Sequence, residues 1–496
     1  MKGDFTRFGF DGSKHFSRVL HQQGRVELDA DLNEASAILL HHLRTLTRDL
    51  FGPGGGPPDS GFSLSLDAST SPAALLLSPG HYYVDGILCE NEHWCDYGSQ
   101  PDFTPAPAVG NDPGDPLLAW LDKPSADDAF WVYLDVWERH VSWIEDDSIR
   151  ESALGGPDSC SRAQVVWQVR ALPWDNEHWG PLSQNQTPCG TPLPTLTGLG
   201  SGRMTARVDP GTAYTDACIV SPDAAYRGVE NHLYRVEVHH GGSAGSGASF
   251  KWSRDNGSVA ARWLGMGGTD GAPSLSASSS RGFSAGDWIE LSHDGLELAG
   301  EPGQLVRLSA VDGDQLVVDQ ASVPGGTLMA WSDTLSNPRL RRWDQRGSDI
   351  VSLDAGAVPI VESNGTPLTW LDLEDGIQVA FDNGGEYHSG DYWLIPARVA
   401  TQGILWPAQG AADAWQAPQG IVHHYAPLGV LIFNADGLQV TSQCRQCLSL
   451  AQTACLVPMR QIVDSATNAA PRPGSKPRKA AATSPAPKAA TAKRRR

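Results

Sequence analysis

The chain is poor in charge, in cysteine and in long apolar runs, and each shortage excludes something. Charged side chains make up 19% of the 496 residues and apolar ones 40%, a balance that belongs to a folded chain and not to a solvated, charged polymer. No apolar run reaches the ~18 residues of a bilayer-spanning helix, so no membrane span is expected. The opening Met1-Lys-Gly-Asp-Phe5 carries no apolar stretch of the export type, which points to a cytoplasmic location. Eight cysteines over this length are expected as reduced thiols. Signatures of common chemistries are missing as well. There is no His-Glu-x-x-His pair and no Gly-x-Ser-x-Gly elbow ahead of a helix. The glycine-rich run from Gly241 to Gly247 lacks the Gly-Lys-Ser/Thr ending of a phosphate loop and leads into a strand pattern, which argues against a nucleotide site.

Glycine and proline, by contrast, are plentiful, at 53 and 35 residues. Uninterrupted helices are hard to build from that stock, which argues against an all-α fold. The net charge of −20 is unevenly spread. Arg472, Lys476, Arg478, Lys479, Lys488, Lys493, Arg494, Arg495 and Arg496 stand in a stretch without acids, leaving a body of 28 basic and 57 acidic residues, or −29. Such a body repels nucleic acid and anionic membrane. The Ala-, Pro- and Lys-rich tail, 466–496, has too little apolar surface to order and is expected to be disordered. Contact with nucleic acid is expected only through it.

One amphipathic helix stands out, from Asp31 to Leu50. Its apolar residues Leu32, Ala35, Leu39, Leu43, Leu46 and Leu50 are spaced by threes and fours. Asp31 and Glu34 form a capping-box-like start, and Gly52-Pro53-Gly54 is a stop. The spacing is close to a heptad, so the stripe Leu32, Leu39, Leu43 and Leu46 suits either the chain's own sheet or a neighbour's helix. Beyond it the pattern is β. Phe130 to Trp137 and Val165 to Leu172 are dense in β-branched and aromatic residues. Leu233 to His239 alternates, Phe250 to Trp263 reads as a hairpin turning at Asn256-Gly257, and Trp370 to Phe381 as one turning at Asp375-Gly376. Pro181 to Gly202 reads as a long loop and Gly265 to Ser280 as a flexible stretch. The expected fold is mainly β, in several β-rich blocks including a small SH3-like barrel, with the one N-terminal helix. The segments are 1–60, strand and helix; 61–264, β-rich; 281–335, the small barrel; 336–465, a second β-rich part; and 466–496, the basic tail.

Three groups of residues are candidates for chemistry. Glu138, Glu145, Asp146, Asp147 and Glu151, interleaved with Arg139, His140 and Arg150, would make a glycosidase if two carboxyls faced each other across a cleft; a salt-bridged loop is the commoner reading. Cys444-Arg-Gln-Cys447 with Cys455 is a weak metal candidate, since a second pair of ligands is missing; His81, Cys89, His93 and Cys95 match no familiar finger. No cofactor or metal is expected. Trp131, Trp137, Trp252 and Trp288 lie on strand patterns, and exposed on one face they would stack on a glycan, although large aromatics are more often core.

Several long strings occur together: Met1-Lys-Gly-Asp-Phe5, His21 to Glu34, Tyr83-Val-Asp-Gly-Ile-Leu-Cys-Glu-Asn-Glu92, Tyr133-Leu-Asp-Val-Trp-Glu-Arg-His140, Leu154-Gly-Gly-Pro-Asp158, Phe250-Lys-Trp-Ser-Arg254, Arg341-Arg-Trp-Asp344 and Gly390 to Arg398. The set resembles an uncharacterised bacterial family, domain of unknown function 6519, from the first residue to about Cys444, with the basic tail outside it. The resemblance brings no catalytic residues. It implies a non-enzymatic structural or accessory part of a phage-tail-like particle, an extracellular contractile injection system, released with the assembled particle. Its partners would be other proteins of that particle, or a further copy of itself. A glycan- or surface-binding module and a polysaccharide-acting enzyme are the alternatives.

Overall fold

The structure, a computed structural model, describes residues 1–447 apart from 58–60, 68, 71, 104–113, 124–127, 156–157, 176, 178–197, 212–224, 270, 348–352, 408–413, 435–436 and 445. The expected long loop lies mostly, and the basic tail wholly, outside these residues.

The chain is mainly β, as its composition requires, with the expected N-terminal helix, which runs Asp29–Phe51. It begins two residues before the expected cap. Asp29 accepts from the Thr6 amide (2.9 Å) and hydroxyl (2.5 Å) of the preceding arm, and Leu28, at the cap position, contributes no side-chain bond. The stop falls where expected: Gly52 has a positive φ of 69° and its amide returns to Arg48 O at 2.7 Å.

The strands form three successive bodies, each nested in the one before. In the first, Arg162–Pro173, Ala129–Val141, His424–Asn434 and Gly437–Gln443 make a four-stranded antiparallel sheet. Gly54–Gly56, Gly80–Val84 and Ile87–Asn91 form a further sheet, and Phe62, Leu77, Tyr82, Trp167 and Leu431 share the core. Between Pro173 and His424 the chain builds the second body, a sheet of Val358–Pro359, Ser249–Ser253, His232–His240, Tyr392–Arg398 and Gly403–Ile404. It packs through Phe250, Phe381 and Trp393. Between Ser253 and Val358 lies the third, a closed six-stranded barrel of Ala260–Thr269, Ala272–Ala277, Gln315–Val318, Gln304–Asp312, Trp288–Ser292 and Arg339–Trp343.

The small barrel anticipated from its three central strands is therefore present, closed by strands from both sides. The stretch after Gly265 that reads as flexible supplies one of them, Ala272–Ala277, and the second half of Ala260–Thr269, because Leu275 and Ala277 alternate inward. The hairpin at Asp375-Gly376 forms, with both residues at positive φ. The one at Asn256-Gly257 does not. Both residues take positive φ, but Ser249–Ser253 pairs with His232–His240 while Ala260–Thr269 pairs inside the barrel. Asn256 is fully buried and donates to Gly3 O at 2.9 Å. The turn thus fastens the N-terminal arm and hands the chain from sheet to barrel.

Asp85-Gly86 turns the Gly80–Val84/Ile87–Asn91 hairpin and also seats the helix. Gly86 has φ +85°, and a Cβ there would lie 2.1 Å from Arg44 O. Gly86→Ala is expected to cost about 2 kcal/mol or more, from left-handed strain plus displacement of the helix. Thermal unfolding checks this; a midpoint equal to wild type would show that the helix is not clamped at this point.

Candidate functional site: an outward leucine seam above an ionic junction

The helix is mounted by its less apolar side. Ala30, Ala37, Arg44 and Phe51 recur every seven residues and face the body, with Ile38 beside them. Arg44 grips Glu138 through both terminal nitrogens, at 3.0 and 2.9 Å. Arg48 lies 3.4 Å from Asp85, which also meets His424 at 2.9 Å. Phe51 stacks on Tyr83 at 4.9 Å. At about 100° per residue, these positions centre half a turn from the leucines.

The outward face is consequently a heptad stripe in water. Leu32, Leu39, Leu43, Leu46 and Leu50 are 51–69% exposed, and Ser36, also exposed, fills the remaining position in the 4-3-4-3-4 spacing. The Ser36 hydroxyl is already bonded to Leu32 O at 3.2 Å. Four of these leucines are those the sequence singles out; Leu50 extends the row. Of the two seats open to the stripe, the chain's own sheet is not the one taken. The arm ahead of the helix also exposes Phe16, Leu20, Val26 and Leu28. Exposed large apolar side chains in such number mark interaction sites on soluble proteins.

Beneath the helix the three bodies meet around a cavity of about 190 Å³ lined by charge. Glu237 is its centre. It takes Arg235 at 2.5 Å, Lys2 at 3.1 Å and Lys251 at 3.4 Å. Lys251 also meets Glu290 at 2.5 Å, which accepts from Trp343 Nε1 and Gly303 N. A second cluster centres on Arg339, 2% exposed, which pairs with Asp294 at 2.7 Å, Glu145 at 3.2 Å and Glu297. Burial alone would raise the Glu237 and Glu290 carboxyls, but the cations around them outweigh it. Lys2, Arg235 and Lys251 hold Glu237 well below its ordinary range, and Lys251 and Lys2 bring Glu290 down to about 2. Burial, helped by neighbouring cations, pushes His140 and His239 down to about 3, so both are neutral near pH 7. None of the carboxylates and cations here outside the Glu138–Glu145 stretch is singled out by sequence reasoning. The signal available is Arg235 and Glu237, two residues apart among the apolar Leu233, Tyr234, Val236 and Val238 and hence on one face.

The carboxylates proposed as a glycosidase pair are committed elsewhere. Glu138 holds Arg44; Glu145 holds Ser142 and Arg339; Asp146 and Glu151 accept backbone amides of the following turns; Asp147 holds Arg150. The commoner, salt-bridged reading describes them. The four tryptophans offered as a glycan platform are core residues: Trp131, Trp137, Trp252 and Trp288 are at most 9% exposed. Their strands are covered on both faces, so no stacking surface is left.

Cys444 is disulfide-bonded, which corrects the expectation of reduced thiols there and occupies the sulfur a metal would need. The Cys447 side chain and all of Cys455 lie outside the described residues. Cys89, Cys95 and Cys160 are free thiols. Burial drives the Cys89 thiol far above its ordinary value, and His81 lies against Glu90 at 3.3 Å. Among the described residues no three His, Cys, Asp or Glu side chains converge as metal ligands, and no helix is long and apolar enough to cross a membrane.

The model of a family of unknown function, DUF6519, matches residues 1–179 and 197–496. The match runs through the basic tail, which the resembling strings had left outside. No curated protein and no solved structure matches the chain.

Proposed function

We propose that this chain, which belongs to the DUF6519 family of unknown function, is a non-enzymatic structural or accessory component of a larger protein assembly, entering it through the leucine seam. The assembly is a phage-tail-like contractile injection particle, as the resemblance described above implies. The observation that carries the reading is the mounting of the helix: Ala30, Ala37, Ile38 and Arg44 are turned to the body and five leucines to water. A helix in a single folded chain ordinarily buries its apolar stripe. The ionic junction supports the same role, because a carboxylate already held by cations is a fastening and not an acid or base in waiting.

The test is fractionation of cells that make native particles, comparing wild type with the Leu39→Glu/Leu46→Glu variant. Wild type should sediment with the particle proteins, and the variant should move to the soluble fraction by about tenfold or more. Wild type found only as free chain, or a variant retained equally well, would sink the proposal.

A further inference from the structure

We infer that the seam's immediate partner is the same helix of a second copy of this chain. The inference rests on the reading just given and specifies the partner. Spacing of 4-3-4-3-4 sustained over Leu32, Ser36, Leu39, Leu43, Leu46 and Leu50 is the knobs-into-holes repeat, and a repeat of that kind is complemented by another helix carrying it. A second copy carries it in the same register by construction. The residues flanking the seam are Asn33, Ala35, Leu40, His42, Thr47 and Asp49. Only one of them, Asp49, is a carboxylate or a lysine or arginine, so two copies meet without a row of like charges. The helix is 23 residues long, about 35 Å at 1.5 Å per residue, which is three heptads.

Electrostatics give this pairing a signature. Outside its tail the chain carries 28 basic and 57 acidic residues, so two copies repel at long range while the seam attracts through apolar contact. Salt screens the repulsion and leaves the apolar contact in place. Homotypic association should therefore tighten as salt is raised. A basic partner on the acidic body, or the chain's own basic tail lying across the helix, would be loosened.

Sedimentation equilibrium of the full chain at low and high salt tests this. The expected result is reversible self-association that strengthens with salt and weakens at least about tenfold in Leu39→Glu/Leu46→Glu. Both leucines are more than half exposed, so the variant should keep the wild-type unfolding midpoint. A second variant, Leu39→Lys/Leu46→Lys, should also be monomeric alone, and mixing the two should restore association. A wild-type monomer at all concentrations, association indifferent to the seam, weakening by salt, or loss on removing residues 449–496 would each overturn the inference. A monomeric wild type that still sediments with particles through the seam would end the second-copy partner and leave the assembly role standing. Failure of both experiments would end both.

Discussion

Arg339→Met should be among the most damaging single substitutions in this protein, lowering stability by about 3–5 kcal/mol. Arg339 is 2% exposed and is shared by Asp294, Glu145 and Glu297. Methionine fills much of the volume but leaves three carboxylates crowded together, two of them, Glu145 and Asp294, only 7% exposed. Arg139, 3.3 Å from Asp294, and Lys2 and Arg341, which act on Glu297 without a close contact, compensate them only in part. The cost is dominated by uncompensated buried charge and not by loss of favourable pair energy, since burying an intact ion pair is itself nearly neutral. Urea unfolding measures the change, and a loss below about 1 kcal/mol would mean that the carboxylates take up protons or water cheaply. The substitution should also loosen the barrel from the first body, because Arg339 belongs to a barrel strand while Glu145 follows the Ala129–Val141 strand of the first sheet.

Stability should fall in two stages as pH is lowered, the first setting in near pH 8, where the unfolded chain protonates the N-terminal amine that burial holds at about 4 in the folded state, and steepening near pH 6.5. His140 and His239 have folded values of about 3 against an ordinary 6.5. Below 6.5 the unfolded chain takes up protons that the folded chain refuses, so stability is lost as pH falls. Each histidine contributes up to about 1.4 kcal/mol per pH unit over this range. The second stage starts near the ordinary glutamate value of 4.5. Glu290, held at about 2, and Glu237, held well below 4.5, stay ionised in the folded state while the unfolded chain protonates. The stability their low values provide is complete above 4.5 and drains away toward 2. Denaturant midpoints measured across this range should trace both limbs. His140→Phe/His239→Phe should make the upper limb shallower and leave the glutamate contribution to the lower one in place. A wild-type midpoint constant from about pH 6.5 to about pH 4.5 would contradict neutral burial of the two rings.

Local pattern along the chain carries some of these elements and cannot carry others. The helix, its glycine stop, the Phe130 and Val165 strands and the Asp375-Gly376 hairpin are legible because each depends on residues within about ten positions of one another. Asn256-Gly257 shows the limit. Its backbone is the one a hairpin uses, yet Asn256 is claimed by the N-terminal arm and the two strands find partners far along the chain. The seam is half legible: spacing alone identifies the leucine stripe and leaves open whether it faces the chain's own sheet or another molecule. That choice is made by Glu138 and Asp85, which take Arg44 and Arg48 and so turn the leucines outward. Nothing local to the helix announces those two partners.

By itself the sequence determined the class: mainly β with one N-terminal amphipathic helix, an acidic body and a basic tail. It determined these because composition, period and turn residues act over short distances and leave their mark in order along the chain. The nesting of barrel within sheet within sheet, the burial of the tryptophans, and the meeting of Lys2, Arg235, Lys251, Glu237, Glu290 and Arg339 were decided only by tertiary structure. Those residues are scattered over more than three hundred positions, and a charge is driven to pair only once folding has taken it out of water. That requirement exists in the packed molecule and has no counterpart in the linear pattern.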